Sequence, residues 1–159
     1  MIKPHGSDTL NPLFVYDEAK HHELQKEAEG LPSLLLNSAA AANAVMLGAG
    51  YFNPLPGYMN IANAMSVAEH MKMTDGLFWP VPILNRTGDI SAIKNAKRIA
   101  LRDPNEEGNP VLAIQDVEAI EELTQDQVNF ITEKVYGTLD TKHAGVATFA
   151  SLGQYVISG

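Results

Sequence analysis

Cysteine is absent from all 159 residues. Disulfides, thiolate nucleophiles and cysteine–zinc sites are therefore excluded, and a reducing compartment such as the cytoplasm is the expected setting. Basic residues are scarce: 11 Lys and Arg face 19 Asp and Glu, for a net charge of −8. Such a surface repels nucleic-acid phosphates and anionic membranes, so no nucleic-acid or membrane partner is expected. Long apolar runs are missing too. The richest stretch, Ala39 to Phe52, is interrupted by Asn43 and is too short to span a bilayer. The opening Met1-Ile2-Lys3-Pro4-His5 has no apolar h-region of a signal peptide. There is no internal repeat and no low-complexity tract.

What remains is an ordinary globular composition, 45% hydrophobic and 19% charged. A chain of this length buries roughly 70% of the surface its unfolded form exposes, enough for one core without staples. Asp17 to Glu29 reads as a helix with Leu24, Ala28 and Leu31 on one face, stopped by Gly30 and Pro32. Leu34-Leu35-Leu36 reads as a buried strand. Ser38 is positioned to cap a helix running to about Leu47. Asn53-Pro54-Leu55-Pro56-Gly57 is a rigid turn. Asn60 then caps a helix with an Ile61, Met65, Ala68 and Met71 stripe.

Two prolines keep Trp79 to Leu84 extended. Asp89 to Asn95 is expected as a short helix, Lys97 to Arg102 as an alternating strand, and Val111 to Ile120 as mostly strand. Thr124 and Gln127 form a capping box. Leu123 and Val128 suit a hydrophobic staple, with Val128, Ile131 and Val135 lining the helix face up to Gly137. Gln154 to Ile157 is a last strand. Short strands and helices without regular alternation predict an α+β fold.

Candidate chemistry is thin. Gly48-Ala49-Gly50-Tyr51-Phe52-Asn53 lacks the third glycine of a dinucleotide fingerprint and follows a helix rather than a strand, so it reads as a helix stop. His21 and His22 are adjacent; helical neighbours diverge by about 100°, so they do not chelate one ion. Asp140 and His143 offer an acid–base pair, or simply a held loop in which Gly145 turns. Arg98 and Arg102 share a strand face with Lys94 and Lys97 nearby. Their guanidinium forks suit sulfate or phosphate, while salt bridges to Asp103 or to the acidic stretch Asp116 to Asp126 are the plainer reading. Aromatic residues crowd the middle third: Tyr51, Phe52, Tyr58, Phe78 and Trp79. Core packing explains them better than a base-stacking platform does.

A set of strings in fixed order carries more. They are Pro4-His5-Gly6, Gly50-Tyr51-Phe52-Asn53-Pro54-Leu55-Pro56-Gly57-Tyr58-Met59, Gly76-Leu77-Phe78-Trp79-Pro80-Val81-Pro82-Ile83, Ile99-Ala100-Leu101-Arg102-Asp103-Pro104 and Tyr136-Gly137-Thr138-Leu139-Asp140-Thr141-Lys142-His143-Ala144-Gly145-Val146. Together they resemble the amino-terminal domain of the ATP sulfurylases, or sulfate adenylyltransferases. The chain departs from that pattern at Ser7, where the family has glycine, and at Ala144, where it has proline.

The resemblance implies a PUA-like fold, a small partly closed β-barrel decorated by helices, over one domain, residues 1–159. It implies a parent enzyme that joins sulfate to the α-phosphorus of magnesium-bound ATP and releases pyrophosphate, reversibly. The family's catalytic strings, Gln-x-Arg-Asn-Pro, His-x-x-His and Gly-Arg-Asp-His, belong to a following domain, and none occurs here. No catalytic, cofactor or metal residue is therefore assigned. The implied partners are that missing catalytic domain and further copies in a homo-oligomer. The aromatic and proline-rich centre, Tyr51 to Pro82, is the expected contact surface. A free-standing PUA-like module binding RNA or protein is the alternative, and the charge of −8 counts against RNA.

Overall fold

In the computed structural model, which describes residues 2–159, Asp17 is the cap of the first helix rather than part of it. Its carboxylate accepts the Lys20 amide N–H at 2.7 Å and α1 follows, Glu18–Gly30. Of the expected apolar face only Ala28 is fully buried. Strand β1 (Ser33–Leu35) buries Leu34 but leaves Leu35 in solvent, and Leu36 beyond it is buried again, so the leucine run alternates and is not buried throughout.

The next helix, α2 (Ser38–Gly48), is capped by Asn37, whose side chain accepts the Ala40 N–H at 2.9 Å. Ser38 is already helical, and its hydroxyl goes to Asn105. Asn60 caps α3 (Ile61–His70) as the sequence suggests, and the Glu121 carboxylate also accepts the free Ile61 N–H. The buried stripe is Ile61, Ala64 and Val67; Met71, expected on it, is instead the left-handed residue that ends the helix, half-exposed.

The expected helix at Asp89 to Asn95 does not form. Ile93 and Ala96 donate only to carbonyls three residues back, and the Asp89 carboxylate takes the Ser91 N–H, an alternative to helix for the backbone. The Thr124–Gln127 capping box is present on α4 (Gln125–Tyr136), which Gly137 closes at φ 71°. An unexpected helix, α5 (Ala144–Ser151), occupies what the sequence suggested was a glycine loop.

The strands make two sheets. In the first, β1 runs parallel to β3 (Arg98–Arg102), which pairs antiparallel with β4 (Val111–Asp116). In the second, β6 (Tyr155–Ser158) lies between β2 (Arg86–Thr87) and β5 (Ala119–Glu122), all antiparallel. The α+β class holds, but among the described residues these sheets are small and form no closed barrel. The continuous strand expected from Val111 to Ile120 is broken because the chain changes sheet. The Val117 N–H donates to Lys97 in the first sheet's approach, and the Glu118 N–H to Ser158 in the second. One apolar core joins both sheets and the helices, from Leu34 and Ile99 through Val67 and Ile131 to Val156 and Ile157.

Candidate functional site

Three of the ordered strings converge. His5, Tyr51 to Asn53, and Phe78 to Val81 with Ile83 line one shallow pocket of about 320 Å³. Buried Asn53 builds it. Its carbonyl oxygen accepts the Asn11 N–H at 2.9 Å, and its amide nitrogen donates to the His5 carbonyl at 3.0 Å and to the Ser7 hydroxyl at 2.6 Å. The Ser7 departure thus supplies an acceptor. The His5 Nε2 pairs with the Phe78 carbonyl at 2.8 Å, and its ring lies 6.0 Å from that of Trp79. Trp79 is buried, and its indole N–H has no partner. Tyr51, Phe78 and Val81 face solvent.

A second, larger groove of about 690 Å³ lies on another face. The amino-terminal segment borders it, pinned where the Leu13 and Phe14 N–H groups both donate to the Gly48 carbonyl at 2.9 and 3.0 Å. Gly48 is required there, since a Cβ would stand 2.4 Å from the Phe14 ring. The opposite wall is β4, with Gly159 beside it.

The candidate residues from the sequence do not assemble into one site. Arg98 donates from Nε to Asp116 at 2.7 Å and from Nη1 to Glu27, so its guanidinium already holds two carboxylates. Arg102 donates to the Asn109 carbonyl at 3.1 Å. Lys94 and Lys97 are exposed. His143 caps α5 through Nδ1, 3.4 Å from the Val146 N–H, and meets Asp140 only through the backbone. Gly145 is helical rather than a turn, and a Cβ there would come within 2.6 Å of the Tyr136 ring. His21 and His22 are exposed on α1. Among the described residues no three or more His, Asp or Glu side chains cluster as metal ligands would. No helix there is long and apolar enough to cross a membrane.

One group escaped the sequence reading. Arg86 is almost fully buried and donates to the carbonyls of Gly153, Phe149 and Leu152 at 2.9, 2.9 and 3.1 Å. Its guanidinium sits 4.5 Å from the Phe149 ring centre, and burial lowers its pKa to about 10. The available signal was a lone cation two residues after the apolar run Pro82-Ile83-Leu84. Arg86 ties the end of α5 to β2 and carries no catalytic geometry.

Over its full length the chain is 59% identical to a sulfate adenylyltransferase of Allochromatium vinosum and 57% identical to one of Alcanivorax borkumensis. It spans only 40% of the length of each of these curated relatives. A solved structure titled as a hexameric APS kinase from Thiobacillus denitrificans matches 77% of this chain and 24% of its own, at a TM-score of 0.62 and 34% identity. The family model described as PUA-like domain matches residues 2–159, and the chain belongs to that family.

Proposed function

We propose that this chain is the amino-terminal, non-catalytic domain of a sulfate adenylyltransferase. In that reading the parent enzyme lets a sulfate oxygen attack the α-phosphorus of magnesium-bound ATP. The bond to the β-phosphate bridge breaks, and adenosine 5′-phosphosulfate and pyrophosphate leave. The observation that carries the reading is identity of 57–59% along the whole chain to enzymes of that name. The side chains here fit a supporting role. Arg98 is held by carboxylates, Arg86 by carbonyls and His143 by a helix cap, bonds that each serve the fold itself. In the same reading magnesium and ATP are bound by the polypeptide that the relatives carry outside the matched part.

The same reading places the protein in the cytoplasm, in a homo-oligomer, with the two open sheets as halves of a PUA-like pseudo-barrel. An RNA-binding module gains no support from a chain of net charge −8. The test is a graft: this chain replaces the matched part of the Allochromatium vinosum relative. The graft should release pyrophosphate from ATP in a sulfate- and magnesium-dependent way, and the isolated chain should stay at background. A graft that folds without activity, or an isolated chain with sulfate-dependent turnover, would overturn the proposal.

A further inference from the structure

We infer that the groove between the amino-terminal segment and β4 is the seat of the polypeptide that the relatives carry outside the matched part; this rests on the function proposed above. Four consecutive apolar side chains, Leu13, Phe14, Val15 and Tyr16, line it while 41%, 46%, 39% and 78% exposed. Val45 from α2 and Val111 from β4 extend the same lining, also facing solvent. A row of this kind is unfavourable in water, and covering it removes apolar surface from solvent.

The exposure is not that of a loose tail. The segment is fixed at the Gly48 carbonyl and, two residues earlier, where Asn53 takes the Asn11 N–H. Its backbone holds the row in place before any partner arrives, which lowers the ordering cost of docking.

The occupant follows from where Gly159 sits. It forms part of the groove wall, and its carbonyl accepts from the Tyr58 N–H at 3.1 Å and from Gln115 Nε2 at 3.1 Å. Its neighbours leave no room: a Cβ on Gly159 would stand 2.0 Å from the Asp116 carbonyl oxygen, and one on Gly57 would stand 2.2 Å from the Gly159 oxygen. The strand β6 is therefore clamped at its end against the groove. More than half of each relative lies outside the matched part. Polypeptide leaving from Gly159 starts at this groove, with an effective concentration in the mM range for a short tether. A second copy has no such advantage. A small ligand would need a site that encloses most of its surface, whereas this one is rimmed by exposed side chains. The smaller aromatic pocket at Trp79 has no tether beside it.

Two tyrosines make the test internal. Tyr16 lines the groove at 78% exposure, and Tyr51 lines the aromatic pocket at 74%. Hydroxyl-radical footprinting reads both side chains in the isolated chain and in the graft. Tyr16 oxidation should fall by roughly tenfold in the graft, as expected for a residue entering an interface core, with Tyr51 unchanged. Tyr16→Asp should lower the melting temperature of the graft while leaving that of the isolated chain unchanged. Protection of Tyr51 instead, or of neither, overturns the inference. Protection of Tyr16 in the isolated chain as its concentration rises assigns the groove to a second copy and also overturns it. An active graft with Tyr16 still exposed sinks this inference alone, and a protected Tyr16 in an inactive graft sinks only the functional reading.

Discussion

Tyr58 and Arg86 are the two buried polar side chains whose chemistry reaches furthest. The Tyr58 hydroxyl donates to the Ala40 carbonyl at 2.7 Å, and burial pushes its pKa well above the ordinary 10.0. The unfolded phenol ionises near 10.0 and the folded one does not. Its contribution is therefore complete below that pH and is lost as pH rises beyond it. Arg86, lowered from 12.5 to about 10, works in the opposite sense over the same range. The difference between variants, rather than the wild-type curve, therefore isolates the tyrosine. Tyr58→Phe should cost about 1 kcal/mol at neutral pH and a smaller amount above pH ~10.5. Urea melts at both pH values check this, and an equal cost at both refutes it. Arg86→Lys keeps the charge but loses the planar fork that reaches three carbonyls, and should destabilise by about 3 kcal/mol. An unchanged thermal melt would show that the fork contributes nothing.

At the scale of elements, legibility followed the local signal. The α4 helix was readable because Thr124 and Gln127 satisfy each other's backbone N–H groups, an arrangement four residues long. Its face was readable as well, since Val128 and Ile131 are buried. Val128→Asp or Ile131→Asp should unfold the domain, because an unpaired buried carboxylate costs several kcal/mol against a total of about 5–15 kcal/mol. Circular dichroism and thermal melts read the outcome, and a native melt from either variant would misplace the helix face. By contrast, α5 was hidden. Ala144-Gly145 looks like a turn, and the reason for glycine, the Tyr136 ring from α4, is remote in sequence. Two effects compete in Gly145→Ala. Helix propensity favours alanine by about 1 kcal/mol. A Cβ 2.6 Å from the Tyr136 ring costs about 1–3 kcal/mol by overpacking. The clash should win, lowering the melting temperature; a rise would show that the ring yields freely.

At the scale of the whole molecule, the sequence carried the family and the α+β class but not the division into two sheets. Strand partners are set by long-range contacts, and Gln115 is the clearest case. It sits on β4, buried in the first sheet, yet its Nε2 donates to the Ile157 and Gly159 carbonyls at 3.2 and 3.1 Å. Its Oε1 accepts from Asn85 Nδ2 at 3.1 Å, and the Asn85 carbonyl in turn receives the Ile157 N–H. One amide thereby joins the two sheets. Asn85 is fully buried and its Oδ1 has no partner, so the pair is partly satisfied and strongly coupled. Gln115→Leu strands the Asn85 amide and the Ile157 carbonyl, while the Gly159 carbonyl keeps the Tyr58 N–H, and should cost about 2–6 kcal/mol at about 1–3 kcal/mol per orphaned group, less what the added methyl contacts return. Asn85→Leu orphans only Oε1 while removing an acceptor that was already unpaired, so it should cost less. With both replaced, the side-chain orphans vanish together, and the double variant should be about 1–2 kcal/mol more stable than the sum of the two changes. Denaturant melts of all four proteins give that coupling directly. Strict additivity would mean that Gln115 and Asn85 act independently and that the core alone holds the sheets together.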